Sequence, residues 1–224
     1  MKTVVSTFES TLCALLLCAF VFAGAIGHSQ APSTVPPGGA TGKLAAPRIK
    51  PLEERDMSPA QREFFKSGGS TSNNIKTCLY NLEMCRRYAP FLSYFVDTST
   101  LSLRDKEVLV LRTAWLCKAD FIWNAHVRRA RTAGLTDADI SAIVEGSRSR
   151  KLGNRETALI RAVDELHSSQ FITDATWKSL EGMYDTPQLL ETVFIVGQYH
   201  LLAMYQKSVG VPITGEAIPL PTAH

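Results

Sequence analysis

From Ser58 to Pro212 the sequence is punctuated almost entirely by helix starts and stops, and no stretch of useful length alternates apolar and polar residues at the period of a strand. Ser58-Pro59-Ala60-Gln61 supplies a cap, a proline at the first helical position and a glutamine three residues after the cap, opening a helix expected to stop at Gly68-Gly69. Asn73 to Glu83 and Arg86 to Asp97 read as two apolar-faced helical pieces, with Pro90 near the start of the second. Ser102, backed by Asp105, caps a central helix, and the helix after it ends at Gly134. Thr136 opens a short helix closing near Gly146, Asn154 and Asp174 cap the next two, and Thr186-Pro187 starts a last long helix, Gln188 to Lys207, ended by Gly210-Val211-Pro212. These signals predict an all-α fold, a compact helical bundle. The last helix is apolar nearly all round, so it is expected to be buried against the rest of the bundle or against a partner chain.

The chain has 224 residues, 45% of them apolar, enough for a sizeable core. Its net charge is +3, with no Lys/Arg cluster interleaved with aromatics, so nucleic acid is not an expected partner. At the front, Lys2 precedes an apolar run from Leu12 to Phe22 and the small residues Ala23, Gly24 and Ala25. That run is short for a membrane span and has the pattern of a secretory signal peptide over residues 1–25, with a second plausible cut after Ala31; a retained anchor helix is the alternative. The expected location is therefore secreted or periplasmic, with no stable membrane span once the signal is gone. Residues 26–49 are rich in Pro, Gly, Ser, Thr and Ala without periodicity and read as a flexible linker. A helical domain over residues 50–212 follows, and the proline-containing tail, 213–224, is expected to be flexible.

Signal removal leaves Cys78, Cys85 and Cys117. Cys78 and Cys85 sit two turns apart on a continuous helix, too far for a disulfide unless the chain bends between them, and otherwise read as small buried hydrophobes.

The densest concentration of chemistry is Glu107 to His126, EVLVLRTAWLCKADFIWNAH, where an apolar run gives way to Arg112, Trp115, Cys117, Asp120, Trp123 and His126. Glu107 and His126 are too far apart to meet on one straight helix, but two neighbouring helices bring them together if the chain turns near Lys118 to Asp120. A histidine within reach of a carboxylate is an acid/base unit, because the carboxylate fixes the ring tautomer and stabilises the cation formed in proton transfer. A buried structural Glu-His contact is the alternative.

This region, LSLRDKEVLVLRTAWLCKADFIWNAHVRRARTAGLTDADISAIVEG, resembles the carboxymuconolactone decarboxylase-like proteins, which include the alkyl hydroperoxide reductase D-type enzymes. The later stretches NRETALIRAVDELH and VGQYHLLAMYQKSVGVP extend the resemblance to roughly residues 50–212. The peroxidase-type members carry E-x11-C-x2-C-x3-H; Glu107 and His126 fall in register with it, while the two cysteine positions are Ala119 and Ile122. A dithiol cycle cannot run without its sulfurs. The resemblance implies helical bundles assembled as homo-oligomers, trimers or hexamers, and acid/base chemistry of the decarboxylase or lyase type on a small organic acid or lactone, with no cofactor. It implies that His126 moves a proton while Glu107 orients it. A thiol-dependent hydroperoxide reductase with peroxiredoxin-like activity and a non-catalytic small-ligand-binding helical protein are the alternatives.

Cys117, two positions before the first family cysteine slot, is the candidate thiol for a one-cysteine peroxidase, against a plain buried helix cysteine. Arg112 is a candidate for binding a substrate carboxylate, or for pairing with an acid in the bundle, and Trp123 a candidate aromatic wall, or plain core. His167 and His200 stand far from His126 in sequence with no H-x3-H pair, so no metal site is expected.

Overall fold

In the computed structural model, which describes residues 44–68 and 72–222, every regular element is a helix. The expectations for a signal peptide and for the linker up to residue 43 lie outside the described residues. Among those described, no helix is long and apolar enough to cross a membrane.

The helices are α1 (Pro59–Ser67), α2 (Asn73–Cys78), α3 (Leu82–Ser93), α4 (Leu103–Leu116), α5 (Asp120–Thr132), α6 (Asp137–Glu145), α7 (Asn154–Ser169), α8 (Asp174–Glu181) and α9 (Thr186–Val209). Reciprocal capping boxes start α1 with Ser58 and Gln61, α6 with Thr136 and Asp139, and α9 with Asp185 and Gln188. Ser102 caps α4 by accepting from the backbone N–H of Asp105.

α4 is the axis of the bundle: it packs against α5, α6, α7 and α9. Ten consecutive residues of it, Asp105 to Ala114, are buried all round, so its apolar side chains, Val108 to Leu111 and Ala114, follow no single face. The main core gathers around Leu109, Leu111, Ile122, Ile143, Leu159 and Ile195. A smaller apolar cluster of Leu52, Met57, Phe65, Cys78, Leu79 and Cys85 joins α1, α2 and the start of α3.

Three expectations are corrected. The break in the second helical region falls at the 3-10 turn Leu79–Asn81 rather than after Glu83, because the Asn81 side chain accepts from Met84 N–H and starts α3 there; Pro90 consequently lies inside α3. That bend brings the buried Cys78 and Cys85 thiols within hydrogen-bonding reach, and both are free. The tail is held in place: Ile218 N–H donates to Asn124 Oδ1 (2.8 Å), Trp115 Nε1–H to the Pro221 carbonyl (3.2 Å) and Arg128 to the Glu216 carbonyl (2.8 Å), with Ile218 and Leu220 packed on the core. Prolines forbid helix there but leave an extended strap free to bond sideways. The end of the linker is also fixed, since the Arg48 and Ile49 N–H groups both donate to the Val209 carbonyl at the end of α9.

Candidate active site

α4 and α5 are joined by a tight turn at Cys117–Ala119, in which Lys118 takes the left-handed conformation (φ 53°) and lays its ammonium over the Trp115 ring at 4.4 Å. The two helices therefore fold back on each other, and Glu107, near the start of α4, meets His126 in the middle of α5. Glu107 Oε2 lies 2.8 Å from His126 Nδ1, and both side chains are buried. The Tyr199 ring of α9 meets the imidazole edge-to-face, 5.0 Å between centroids and 89° between planes. With Glu107 ionised, Nδ1 carries the proton it donates, so Nε2 is the nitrogen with a lone pair.

This pair lies on the wall of a cavity of about 260 Å³. Its apolar lining includes Phe95, Leu103, Val110, Ile195 and Tyr199, and its polar lining includes Lys106 and Arg129 beside the pair. Phe95 comes from a π-helical turn, Tyr94–Thr98, that follows α3. Lys106 holds this turn in place: its buried Nζ donates to the Phe95 and Val96 carbonyls, each at 3.1 Å. From the other side, Glu191 of α9 accepts from Tyr94 Oη and Ser99 Oγ, both at 2.6 Å, and from the N–H groups of Thr100 and Leu101. Burial alone would raise the Glu191 carboxyl, yet the hydroxyls of Ser99 and Tyr94 and the two N–H groups outweigh it and hold it below the usual carboxylate range. The Tyr199 phenol is pushed well up by burial and by the Glu107 charge.

Of the residues singled out from sequence, the structure brings Glu107 and His126 together and leaves the other three outside this cavity. Cys117 ends α4, roughly 15 Å from Glu107 at the helical rise. Burial pushes its thiol up to about 11, against a smaller opposing pull from Lys207. Arg112 is buried and held within the bundle: Nε–H donates to Asp164 Oδ1 at 2.6 Å, and Nη1 donates to the carbonyls of Ile143 and Val144 at 3.0 and 2.7 Å. It caps the C-terminal end of α6, where a cation suits the helix dipole, and offers no fork to a substrate. Trp123 is a core side chain, and its Nε1–H has no partner within the protein. The cations that do face the cavity, Lys106 and Arg129, were not singled out. Arg129 stands three residues after His126, on the same helix face, and that spacing was the available signal.

A second group of chemically capable side chains lies elsewhere: ligand atoms of Cys117, His167 and His200 all lie within 4.8 Å of one another. The three residues are far apart in sequence and meet because α4, α7 and α9 converge at this point.

Residues 83–165 match the carboxymuconolactone decarboxylase family. No curated protein matches the chain. Among solved structures, an AhpD-core, peroxidase-related protein of Ralstonia eutropha superposes with TM-score 0.63 at 13% identity, covering 75% of this chain and 92% of its own. A peroxidase-related protein of Silicibacter sp. gives TM-score 0.61 at 14% identity over 78% and 95% of the two chains. The debrominase Bmp8, in complex with 2,3,4-tribromopyrrole, gives 0.60 at 15% identity over 74% and 90%. The fold is thus that of the AhpD-like helical proteins, and residues 83–165 carry the likeness to the carboxymuconolactone decarboxylase family. At the two cysteine positions of the Cys-x-x-Cys pattern this chain has buried Ala119 and Ile122.

Proposed function

We propose that the chain is an acid/base catalyst of the decarboxylase or lyase type acting on a small organic acid or lactone at the Glu107–His126 pair. The observation that carries this reading is the buried 2.8 Å contact between Glu107 Oε2 and His126 Nδ1 on the wall of a largely apolar cavity that also holds two cations. Glu107 keeps the proton on Nδ1 and supports the imidazolium when it forms. Nε2 then takes a proton from a carbon acid, or in its protonated form returns one to carbon. For a lactone acid, Arg129 and Lys106 hold the carboxylate. As the carbon–carboxylate bond breaks, carbon dioxide leaves and the electron pair passes into the conjugated lactone carbonyl, and His126 delivers the proton that quenches the new carbanion. No step draws on an external oxidant or reductant.

The purified chain is to be assayed against lactone acids and halogenated or plain cyclic acids with product analysis. His126→Gln is expected to cut turnover by about 10²–10⁴ with the helical circular-dichroism spectrum unchanged. Turnover that survives this substitution refutes the assignment. The thiol peroxidase reading has no comparable support, since the two family cysteine positions hold Ala119 and Ile122 and Cys117 lies outside the cavity.

The same reading includes export and self-association. Leu190, Phe194, Leu201 and Met204 of α9 are 46–64% exposed and recur at helical spacing on one face, with Gly197 among them and Phe91 edge-on to Phe194 at 6.3 Å. An apolar stripe of this length is the face a trimer or hexamer would cover. Phe194→Glu is expected to shift the light-scattering mass toward the monomer, and an unchanged mass refutes the interface. For export, a secreted or periplasmic chain beginning after Ala25 or Ala31 is the expected N-terminus, and one beginning at Met1 refutes it.

A further inference from the structure

We infer that Cys117, His167 and His200 form a metal-binding site for a borderline-soft divalent cation, with zinc(II) the fitting ion, separate from the Glu107–His126 cavity. The three side chains come from the end of α4, the last turns of α7 and the middle of α9, and their ligand atoms lie within 4.8 Å of one another. A thiolate with two imidazoles is the donor set that favours zinc over the hard cations magnesium and calcium.

One ligand is already oriented. His200 Nδ1 lies 2.8 Å from the Val196 carbonyl, which can only accept, so Nδ1 carries the hydrogen and Nε2 presents a lone pair toward His167. This backbone anchor is the arrangement that fixes the tautomer of ligating histidines. His167 Nδ1 sits 2.8 Å from that Nε2, a separation that a proton can bridge in the metal-free protein. Tetrahedral coordination, with zinc–nitrogen bonds of about 2.0 Å, needs the two nitrogens about 3.3 Å apart. His167 is exposed, so a small rotation of its ring opens that gap.

Binding is balanced as follows. The Cys117 thiol gives its proton to solvent and ligates as thiolate, and the His167 proton moves from Nδ1 to Nε2, freeing Nδ1. Water takes the fourth position on the exposed His167 side. The charges around the site are mixed: Lys207 donates to the Cys117 carbonyl at 2.7 Å, and Arg112 and Asp164 act on His167 with opposite signs.

The test uses the reduced, untagged, chelator-stripped chain titrated with cobalt(II) and then zinc(II). One equivalent of cobalt is expected to give a thiolate-to-metal absorption band together with four-coordinate d–d bands, both abolished by zinc. Cys117→Ser is expected to lose the thiolate band, and His200→Gln and the exposed His167→Gln to weaken zinc binding at least tenfold in competition with a chromophoric chelator. His126→Gln is expected to leave zinc affinity unchanged. A wild-type cobalt spectrum without a thiolate band overturns the inference, as does a band that survives Cys117→Ser. Unchanged affinity in His167→Gln, a surface change that spares the fold, overturns it equally.

Discussion

Replacing Glu191 tests whether the cavity wall is held from behind. This carboxylate is the lone acid of α9 and receives four groups from the segment that joins α3 to α4: Tyr94 Oη and Ser99 Oγ at 2.6 Å, Thr100 N–H at 2.9 Å and Leu101 N–H at 3.4 Å. Glu191→Ala removes all four acceptor contacts. Tyr94 and Thr100 are exposed and regain water, while the N–H of buried Leu101 does not. Hydrogen bonds to a charged group contribute about 1.5–3 kcal/mol each when fully buried, so with most donors rehydrated the net loss is about 3 kcal/mol. For a domain of this size that lowers Tm by roughly 6–12 °C. Glu191→Gln keeps an acceptor oxygen and the shape but not the charge, and is expected to cost about half as much. The pH dependence carries a definite sign. Because the folded carboxyl is held below its usual value of 4.5, its stabilisation is complete above that value and disappears as pH falls through the lower folded value. Urea unfolding at pH 7 is therefore expected to separate wild type from Glu191→Gln, and the separation is expected to shrink progressively below about pH 4.5. Equal midpoints at pH 7, or a gap that persists unchanged into acid, refutes the reasoning.

Three further outcomes are expected. Gly146→Ala places a methyl 2.7 Å from Arg112 Nη2 at a backbone φ of +90°, and a loss of about 2 kcal/mol or more in urea unfolding is expected; an unchanged midpoint means Arg112 is not locked as described. Arg129→Met leaves an exposed position on the cavity rim without its charge, and is expected to raise KM for an anionic substrate at least tenfold while kcat changes little; an unmoved KM removes Arg129 from substrate binding. Cys117→Ser is expected to leave hydroperoxide consumption where the unmodified chain has it, and a drop would revive the peroxidase alternative.

The sequence by itself determined the helices and their order. Capping residues and helix stops are local chemistry: a serine, threonine or aspartate acts on backbone groups two or three residues away, so Ser58, Ser102 and Thr136 could be read without knowing the fold. The same locality explains the misplaced break, because Asn81 and Glu83 both allow a boundary and only the packing of Cys78, Leu79 and Cys85 into one apolar cluster selects the first. The turn near Lys118 was legible too, and with it the meeting of Glu107 and His126.

What faces what was decided by tertiary structure. Arg112 is chemically suited to a carboxylate ligand, but α6 ends against it and its guanidinium is spent on Val144, Ile143 and Asp164. Lys106 faces the cavity because α4 presents that side to it, which no spacing rule alone supplies, whereas Arg129 follows His126 onto the cavity by its three-residue spacing on α5. Cys117, His167 and His200 are distant in sequence and close in space only because three helices converge there. Side-chain identity fixes what a group can do, and the packing of helices fixes which other groups it does it with.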